Sequence, residues 1–579
     1  MTSPGDPERR KGTALRLRAF FSRQDINKGP RVRGFKGSRV GSLFLVFHLN
    51  PRTLESLNPI DVVELLSILN HKCYIIKIMI KTASQYHSHT SYKRGRMGGH
   101  YLDWQNQPDV FKKYQGITPI PLPDETPSLI KDLWSVLKET DIDPACRKMD
   151  INHLSLILRL TCTLTARARH GAEDFFYRSA ASAGALYPTE IYVATRGVKG
   201  LDDGLYHFAI RGHALSPVRD HDISVHISSL VIPSAEKLPV ITFFFTAIFF
   251  RSSWKYRDRA YRYHLLDTGH VIENLVLSLK AIKAPFSLSY DFDDTGINRL
   301  LGVDDSKEVC LAVARIPGLD NVHDLHIKDV QPLPDNILQA SKVSMKETDY
   351  PAIQEIHRAG YTSETKFDLA PDIPETPALI AESWQNLADV PLNADYVQYP
   401  ECLFKRRSGR NFVNQAIGKN SLLSLLDSLC LDNKIMLQDT IGHQLLTVGF
   451  QAGNIESLNP GLYVLDTVKK RFGMISAGNL MADMARACLE QEWLRNAGVH
   501  FLFISDLNLI DRTCGPRGYR YAMMTAGRMG QRIYLATTSV NLGCCGIGAF
   551  YDDEGAGLIG LDQDSRLLYL VAVGMKRGN

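Results

Sequence analysis

Four short segments hold residue types at spacings that can do chemistry. FKRRSGRNF at Phe404 to Phe412 sets Arg406, Arg407, Ser408 and Arg410 within five residues. Guanidinium forks bind phosphate oxygens bidentately and a serine hydroxyl adds a compact donor, so beside a helix start this cluster makes a phosphate cradle. A solvated basic turn has the same composition. NLGCCGIGAFYDD at Asn541 to Asp553 carries Gly543, Gly546 and Gly548, which let a backbone approach a flat ring or a phosphate. It lacks the GxGxxG order of a dinucleotide site and reads equally as a tight turn. YRSAASAGALYPTEIYV at Tyr177 to Val193 brings Ser182, Ala183, Gly184 and Ala185 together ahead of a strand. Such small residues admit a planar ligand to backbone N–H groups, or pack two backbones closely. In SSWKYRDRAYRY, Lys255 stands beside Tyr256. Both side chains can move protons, and a neighbouring ammonium would favour a phenolate, although the dipeptide is common by chance.

The elements that must position these residues repeat. At an offset of 258 residues without a gap, the stretches opening at Ala260 and Gly518 share Tyr261/Tyr519, Arg262/Arg520, Tyr263/Tyr521, Gly269/Gly527, Phe292/Phe550, Asp294/Asp552, Gly302/Gly560 and Asp304/Asp562. GLY at Gly204 recurs at Gly461. A period of this length is a duplicated domain, far beyond the 20 to 50 residues of solenoid repeats. Each copy is expected to open this stretch with a long helix from its Tyr-Arg-Tyr and to close on a strand, VCLAVARI or LLYLVAVGM. Helices are predicted at Pro127 to Lys138 and Asn152 to Leu160, and strands at Glu190 to Thr195 and Gly204 to Phe208. Helices alternating with strands imply an α+β or α/β core.

The expected organisation is a basic extension over 1–84, a first domain over 85–316, a structured linker over 317–399 with a helix near Tyr350 to Arg358, and a second domain over 400–579. The first forty residues carry eleven Lys or Arg against three acidic residues. Apolar runs after them (SLFLVFHL, CYIIKIMI) flank a helix-like DVVELLSILN. A fused pair of domains can rebuild a dimer interface inside one chain.

Composition excludes several classes. A net charge of +5 over 579 residues gives no general case for nucleic acid. The ten cysteines include no CxxC pair and no His/Cys cluster at zinc spacing, so no metal site is expected. The longest apolar run, Leu238 to Phe250, falls short of the roughly 20 residues of a membrane helix and reads as a buried strand. With neither a membrane span nor a signal peptide, the expectation is a cytoplasmic protein.

Taken together, the four segments resemble the nitroreductase-like flavoproteins and, among them, the SagB-type dehydrogenases. The resemblance rests on LDWQNQP at Leu102, SAGALYP at Ser182, GLYHF at Gly204, WKYRDRAYRYHLLDTGH at Trp254, DYPAI at Asp349, RRSGR at Arg406, and GYRY with GCCGIGAFYDD in the second copy. It spans about Tyr86 to Gly578. It implies an α+β nitroreductase-like fold in two tandem copies forming an intrachain pseudo-dimer, with FMN at the interface. Members acting on peptides oxidise thiazolines or oxazolines to azoles, so the resemblance implies a small-molecule or modified-peptide substrate and a peptide-modification complex as partners. By the same resemblance Arg406, Arg407, Ser408 and Arg410 clamp the flavin phosphate and ribityl chain. Gly546 and Gly548 border the ring, Ser182, Ala183 and Gly184 face it from the other copy, and Lys255 with Tyr256 match the catalytic pair, Tyr256 removing a proton with help from Lys255.

Each copy has lost what the other keeps. Lys255 and Tyr256 fall on Thr513 and Cys514, the glycines of the second copy fall on KAPFSLSYDFDD, and RRSGR faces KETDI at Lys138 to Ile142. SAGALYP falls near DTIGHQL at Asp439 to Leu445. The expectation is one composite FMN site. The alternatives are an NAD(P)H-dependent nitro- or quinone reductase, and a non-catalytic scaffold in a modification complex.

Overall fold

The computed structural model describes residues 79–99, 101–125, 129–170, 173–233, 237–321, 331–361, 378–387, 397–430 and 437–577, all within the unit Ile78–Asn579. The basic extension and the apolar runs after it lie outside them up to residue 78.

Helix α1, Ala83–His89, is started by Thr82, whose side chain accepts from the Gln85 N–H. The first copy then builds an antiparallel sheet of seven strands: β1 (Ile120–Pro121), β2 (Thr189–Thr195), β3 (Gly204–Ala209), β4 (Ala214–Arg219), β5 (Lys237–Ile248), β6 (Ser287–Ser289) and β7 (Glu308–Asn321). Their spatial order is β1-β4-β3-β2-β5-β7-β6. The apolar run forms central strand β5, buried from Leu238 to Ile248, because a strand covered on both faces has no polar side to alternate with. Its last residues, Phe249 and Phe250, start helix α2, Phe249–Tyr256. Helix α3, Ala260–Ala281, follows and is buried at all but one of its 22 positions. A helix enclosed on every side belongs between layers. Strand β7 runs to Asn321, into the stretch assigned to the linker.

The linker contributes α4, Pro351–Ala359. The sheet of the second copy is built from β8 (Gln385–Asn386), which precedes helix α5, Tyr399–Lys405, and from β9 (Thr447–Ala452), β10 (Gly461–Asp466), β11 (Arg471–Ala477), β12 (Val499–Asp506), β13 (Gly543–Ile547) and β14 (Ser565–Gly574), which follow it. Their order, β8-β11-β10-β9-β12-β14-β13, repeats that of the first sheet. Helix α6, Gly518–Ser539, is the counterpart of α3.

The long helices cross at the repeated glycines. A Cβ on Gly269 would overlap the Met524 carbonyl oxygen, and one on Gly527 would overlap that of Leu266. Only hydrogen side chains allow so close an approach, and the two positions are related by the repeat. The short helices are exchanged in the same sense. His87 on α1 meets Tyr519 Oη of the second copy at 3.1 Å, and His357 on α4 meets Tyr261 Oη of the first at 2.9 Å. The fold is therefore two tandem α+β copies that pack against each other along their long helices. Among the described residues no helix is long and apolar enough to cross a membrane.

Candidate active site

The RRSGR segment follows the C-terminal end of α5, not a helix start as expected, because Arg406 leaves helical geometry as the cap. Its own helix therefore offers the cluster a C-terminal end, and the guanidinium groups supply the positive charge. Arg406 is buried, donating through Nε to Ser179 O at 2.7 Å and through Nη2 to Arg178 O at 2.9 Å. Its Nη1 is buried without a hydrogen-bond partner among the described residues. Arg407 is engaged within the protein: Nη1 donates to Thr165 Oγ1 and to the Phe404 and Arg406 carbonyls, and Nη2 to Thr165 O. Ser408 Oγ lies 2.9 Å from Tyr534 Oη. Exposed Arg410 stands against the Trp493 ring, 5.8 Å from its centroid.

Gly543 and Gly546 belong to strand β13, where a loop was expected, and Gly548 follows it. Pairing with β14 holds this segment extended. A Cβ on Gly546 would overlap Tyr569 Oη, and one on Gly548 would overlap the Tyr263 ring. Here the glycines make room for tyrosines. Gly546 N donates to Tyr534 Oη at 2.7 Å, so Tyr534 ties the β13 backbone to Ser408.

The first copy meets this surface. Arg259 Nη2 and Tyr263 Oη donate to Gly548 O at 3.0 and 3.2 Å. Tyr256 stacks obliquely on Tyr263, ring centroids 4.5 Å apart. In the small-residue turn Gly184 has φ of 66°, and a Cβ there would lie 2.7 Å from Tyr256 Oη and 3.3 Å from Lys255 Nζ. Ser182 Oγ donates to Asp267 Oδ2 at 2.6 Å, and Ala183 N to both carboxylate oxygens at 3.1 and 3.2 Å. The Ala183 N–H, expected to face a ligand, is thus spent on Asp267.

The electrostatics reverse one expectation. Burial, and after it Asp267, push the Tyr256 phenol well above its ordinary range. It holds its proton rather than standing as a phenolate. Burial, and after it the charge of Arg410, push Lys255 down. Arg410 also lowers Cys545, which burial raises, so it acts on both copies at once. Burial lifts Asp267 to about 7 against the donors from Ser182 and Ala183.

The structure thus gathers Arg406, Ser408, Arg410, Gly546 and Gly548 of one copy and Ser182, Ala183, Gly184, Lys255 and Tyr256 of the other at one interface, while Arg407 crosses the same interface with its donors already spent on Thr165 and on backbone carbonyls. Sequence reasoning missed Asp267, Tyr534 and Tyr569. A carboxylate inside a long buried helix, and hydroxyls where the repeat has Val276 and Leu311, were the available signals.

Two sheets in one order, joined by crossing helices with a polar cluster at the seam, define a tandem α+β protein with an interfacial site. The Nitroreductase family model matches residues 149–315 and 454–575, one segment in each copy, and the chain belongs to that family. Membership supports an oxidoreductase. The crystal structure of an Anabaena variabilis protein described as a nitroreductase is similar over 86% of this chain and 100% of its own, with a TM-score of 0.68 and 27% identity. Trifolitoxin-processing protein TfxB of Rhizobium leguminosarum bv. trifolii is 27% identical over 188 residues, 31% of this chain and 50% of TfxB. Microcin B17-processing protein McbC of Escherichia coli is 28% identical over 129 residues, 21% of this chain and 47% of McbC. The chain thus spans about half the length of these two relatives.

Proposed function

We propose that the chain is an FMN-dependent oxidoreductase that oxidises an azoline ring of a modified peptide at one composite site between its copies. The observation carrying this reading is the convergence of Arg406, Ser408 and Arg410 with Lys255 and Tyr256 across the seam. The similarity to two proteins named for processing trifolitoxin and microcin B17 supports a peptide substrate within a modification complex. The donor set fits a flavin phosphate. Arg406 keeps a buried Nη1 without a hydrogen-bond partner among the described residues, Ser408 is exposed, and Arg410 is an exposed cation. A buried donor without a partner costs about 1 to 3 kcal/mol, which an anionic ligand would offset.

When bound, FMN would supply the acceptor for the hydride leaving the ring. Lys255, pushed toward its neutral amine, is suited to take the accompanying proton. Tyr256 keeps its phenol proton and serves as a hydrogen-bond donor beside it. Arg406 and Arg410 hold negative charge, and Arg410 keeps Lys255 from becoming a stronger cation.

The test is released flavin per chain, measured for the native protein and for Arg410→Ala and Arg407→Ala. About one FMN per chain, lost in Arg410→Ala and largely kept in Arg407→Ala, supports the composite site. Two per chain, or none after adding FMN, overturns it.

A further inference from the structure

The buried carboxylate of Asp267 has no part in the reading above, yet it touches the element on which the Lys255–Tyr256 pair rests. It sits on α3, 5% exposed, and takes the Ser182 hydroxyl and the Ala183 N–H together. Ser182 Oγ in turn accepts from Tyr187 N at 2.9 Å, so one carboxylate organises both ends of the turn. Gly184, Ala185 and Tyr187 all adopt positive φ, 66°, 53° and 48°. A turn with two non-glycine residues in the left-handed region is costly and persists only where its surroundings enforce it. Asp267 is what enforces it here. Gly184, the next residue after those it holds, is the one against Tyr256 Oη and Lys255 Nζ.

We propose that Asp267 is the positioning residue of the Lys255–Tyr256 pair, pinning the Ser182–Ala183–Gly184 turn against both side chains. The proposal rests on the pair being the proton-handling site proposed above. The second copy gives an internal contrast. At the related position α6 carries Thr525, which packs against Gly442, the counterpart of Gly184. That copy lacks the carboxylate where it lacks the Lys-Tyr pair.

The groups facing Asp267 come from every element around it. Ser182 and Ala183 donate from the turn. Tyr256 feels its charge from α2, and so does Tyr569 from β14. His270, one turn along α3, is lowered to about 4 by burial and is neutral near pH 7. Arg178, Cys162 and Tyr187 wall a small cavity shared with Asp267. With Asp267 lifted to about 7, its charge changes within the physiological range. As an anion it holds the proton on Tyr256; once neutral it relaxes that hold.

The test places 3-fluorotyrosine at position 256 of the full-length protein without added flavin or substrate and follows its 19F shift with pH. The native protein is expected to show an inflection near pH 7 before the phenol itself titrates. Asp267→Asn should lose that inflection and lower the phenol's own midpoint, with a melting curve confirming that the variant is folded. Ser182→Ala removes a donor to the carboxylate, so its inflection should move to higher pH. No inflection in the native protein, or one unmoved in Ser182→Ala, overturns the proposal. Because neither flavin nor peptide enters, this outcome is separate from the fate of the azoline reading.

Discussion

On one side of the helix crossing, His270 Nδ1 meets Gln531 Oε1 at 2.8 Å and Gln531 Nε2 donates to Asn274 Oδ1 at 2.8 Å. At the related positions on the other side stand Arg528, Glu273 and Arg532. Arg528 Nε donates to Glu273 Oε2 at 2.8 Å and Arg532 Nε to Oε1 at 2.5 Å. The scaffold around both is the same. Arg259 and Arg262 bind Asp552 on the first side, and Arg517 and Arg520 bind Asp294 on the second. Where Gly548 leaves room on the first side, Tyr290 fills the second and meets Arg528 Nη1 at 3.2 Å. Duplication kept the frame and let the contents diverge: neutral hydrogen bonds line the side with the polar cluster, and a buried ionic triad closes the other.

That contrast can be broken most forcefully at Glu273. Glu273→Ala leaves Arg528 and Arg532 without their counter-ion and should cost about 3 to 5 kcal/mol in urea unfolding. Gln531→Ala, its neutral counterpart, should cost about 1 to 3 kcal/mol, and equal costs would erase the distinction. The two sides should also differ in pH response. Glu273 is lowered to about 2 from 4.5, burial opposing it but Arg532 and Arg528 prevailing, so its stabilisation is present above pH 4.5 and lost as pH falls through 2. Asp267 is raised to about 7 from 3.8, so its contribution is full below pH 3.8 and lost as pH rises through 7. The acid limb is on the order of 3 kcal/mol and the neutral limb on the order of 4 kcal/mol. Glu273→Gln should flatten the acid limb alone and Asp267→Asn the neutral limb alone in melts from pH 2 to 8.

Gly269→Ala and Gly527→Ala sharpen the symmetry. Both press a methyl into the partner helix and should cost a similar amount, about 1 to 3 kcal/mol. A large inequality would mean that the crossing is not shared evenly. The smallest effect is expected at Arg94, exposed beside Glu490 and Glu554, where substitution by Ala should leave the melting midpoint unchanged.

Much of this frame was legible in the sequence. The repeat gave both long helices, because residues that pack at a helix crossing retain their spacing even as the rest drifts, and the apolar run Leu238 to Phe250 read as a covered strand, which it is as far as Ile248 before Phe249 and Phe250 turn into α2. The linker helix appeared near its observed place, but its exchange onto Tyr261 did not, since nothing local in DYPAIQEIHRAG names a partner about 100 residues back. Within the site, residue types located Arg406 and Gly184, while orientation escaped. RRSGR shows three guanidinium groups, and only packing reveals that Arg407 spends its donors on Thr165 and backbone carbonyls. The Lys255–Tyr256 spacing suggested a phenolate, but burial and Asp267, a residue distant in sequence from Tyr187 though close in space to its turn, act the other way.

The ion pairs that join the copies also set an order of events during synthesis. Arg262 is separated from Asp552 by 290 residues, which at about 5 to 20 residues per second is roughly 15 to 60 s of translation. Throughout that interval the first copy has two guanidinium groups destined for burial and no carboxylate for them. Its α3 surface must wait for α6. The amino-terminal half therefore leaves the ribosome with this pair of cations uncompensated, and a nascent chain stalled before Asp552 should be a preferred client of chaperones and proteases.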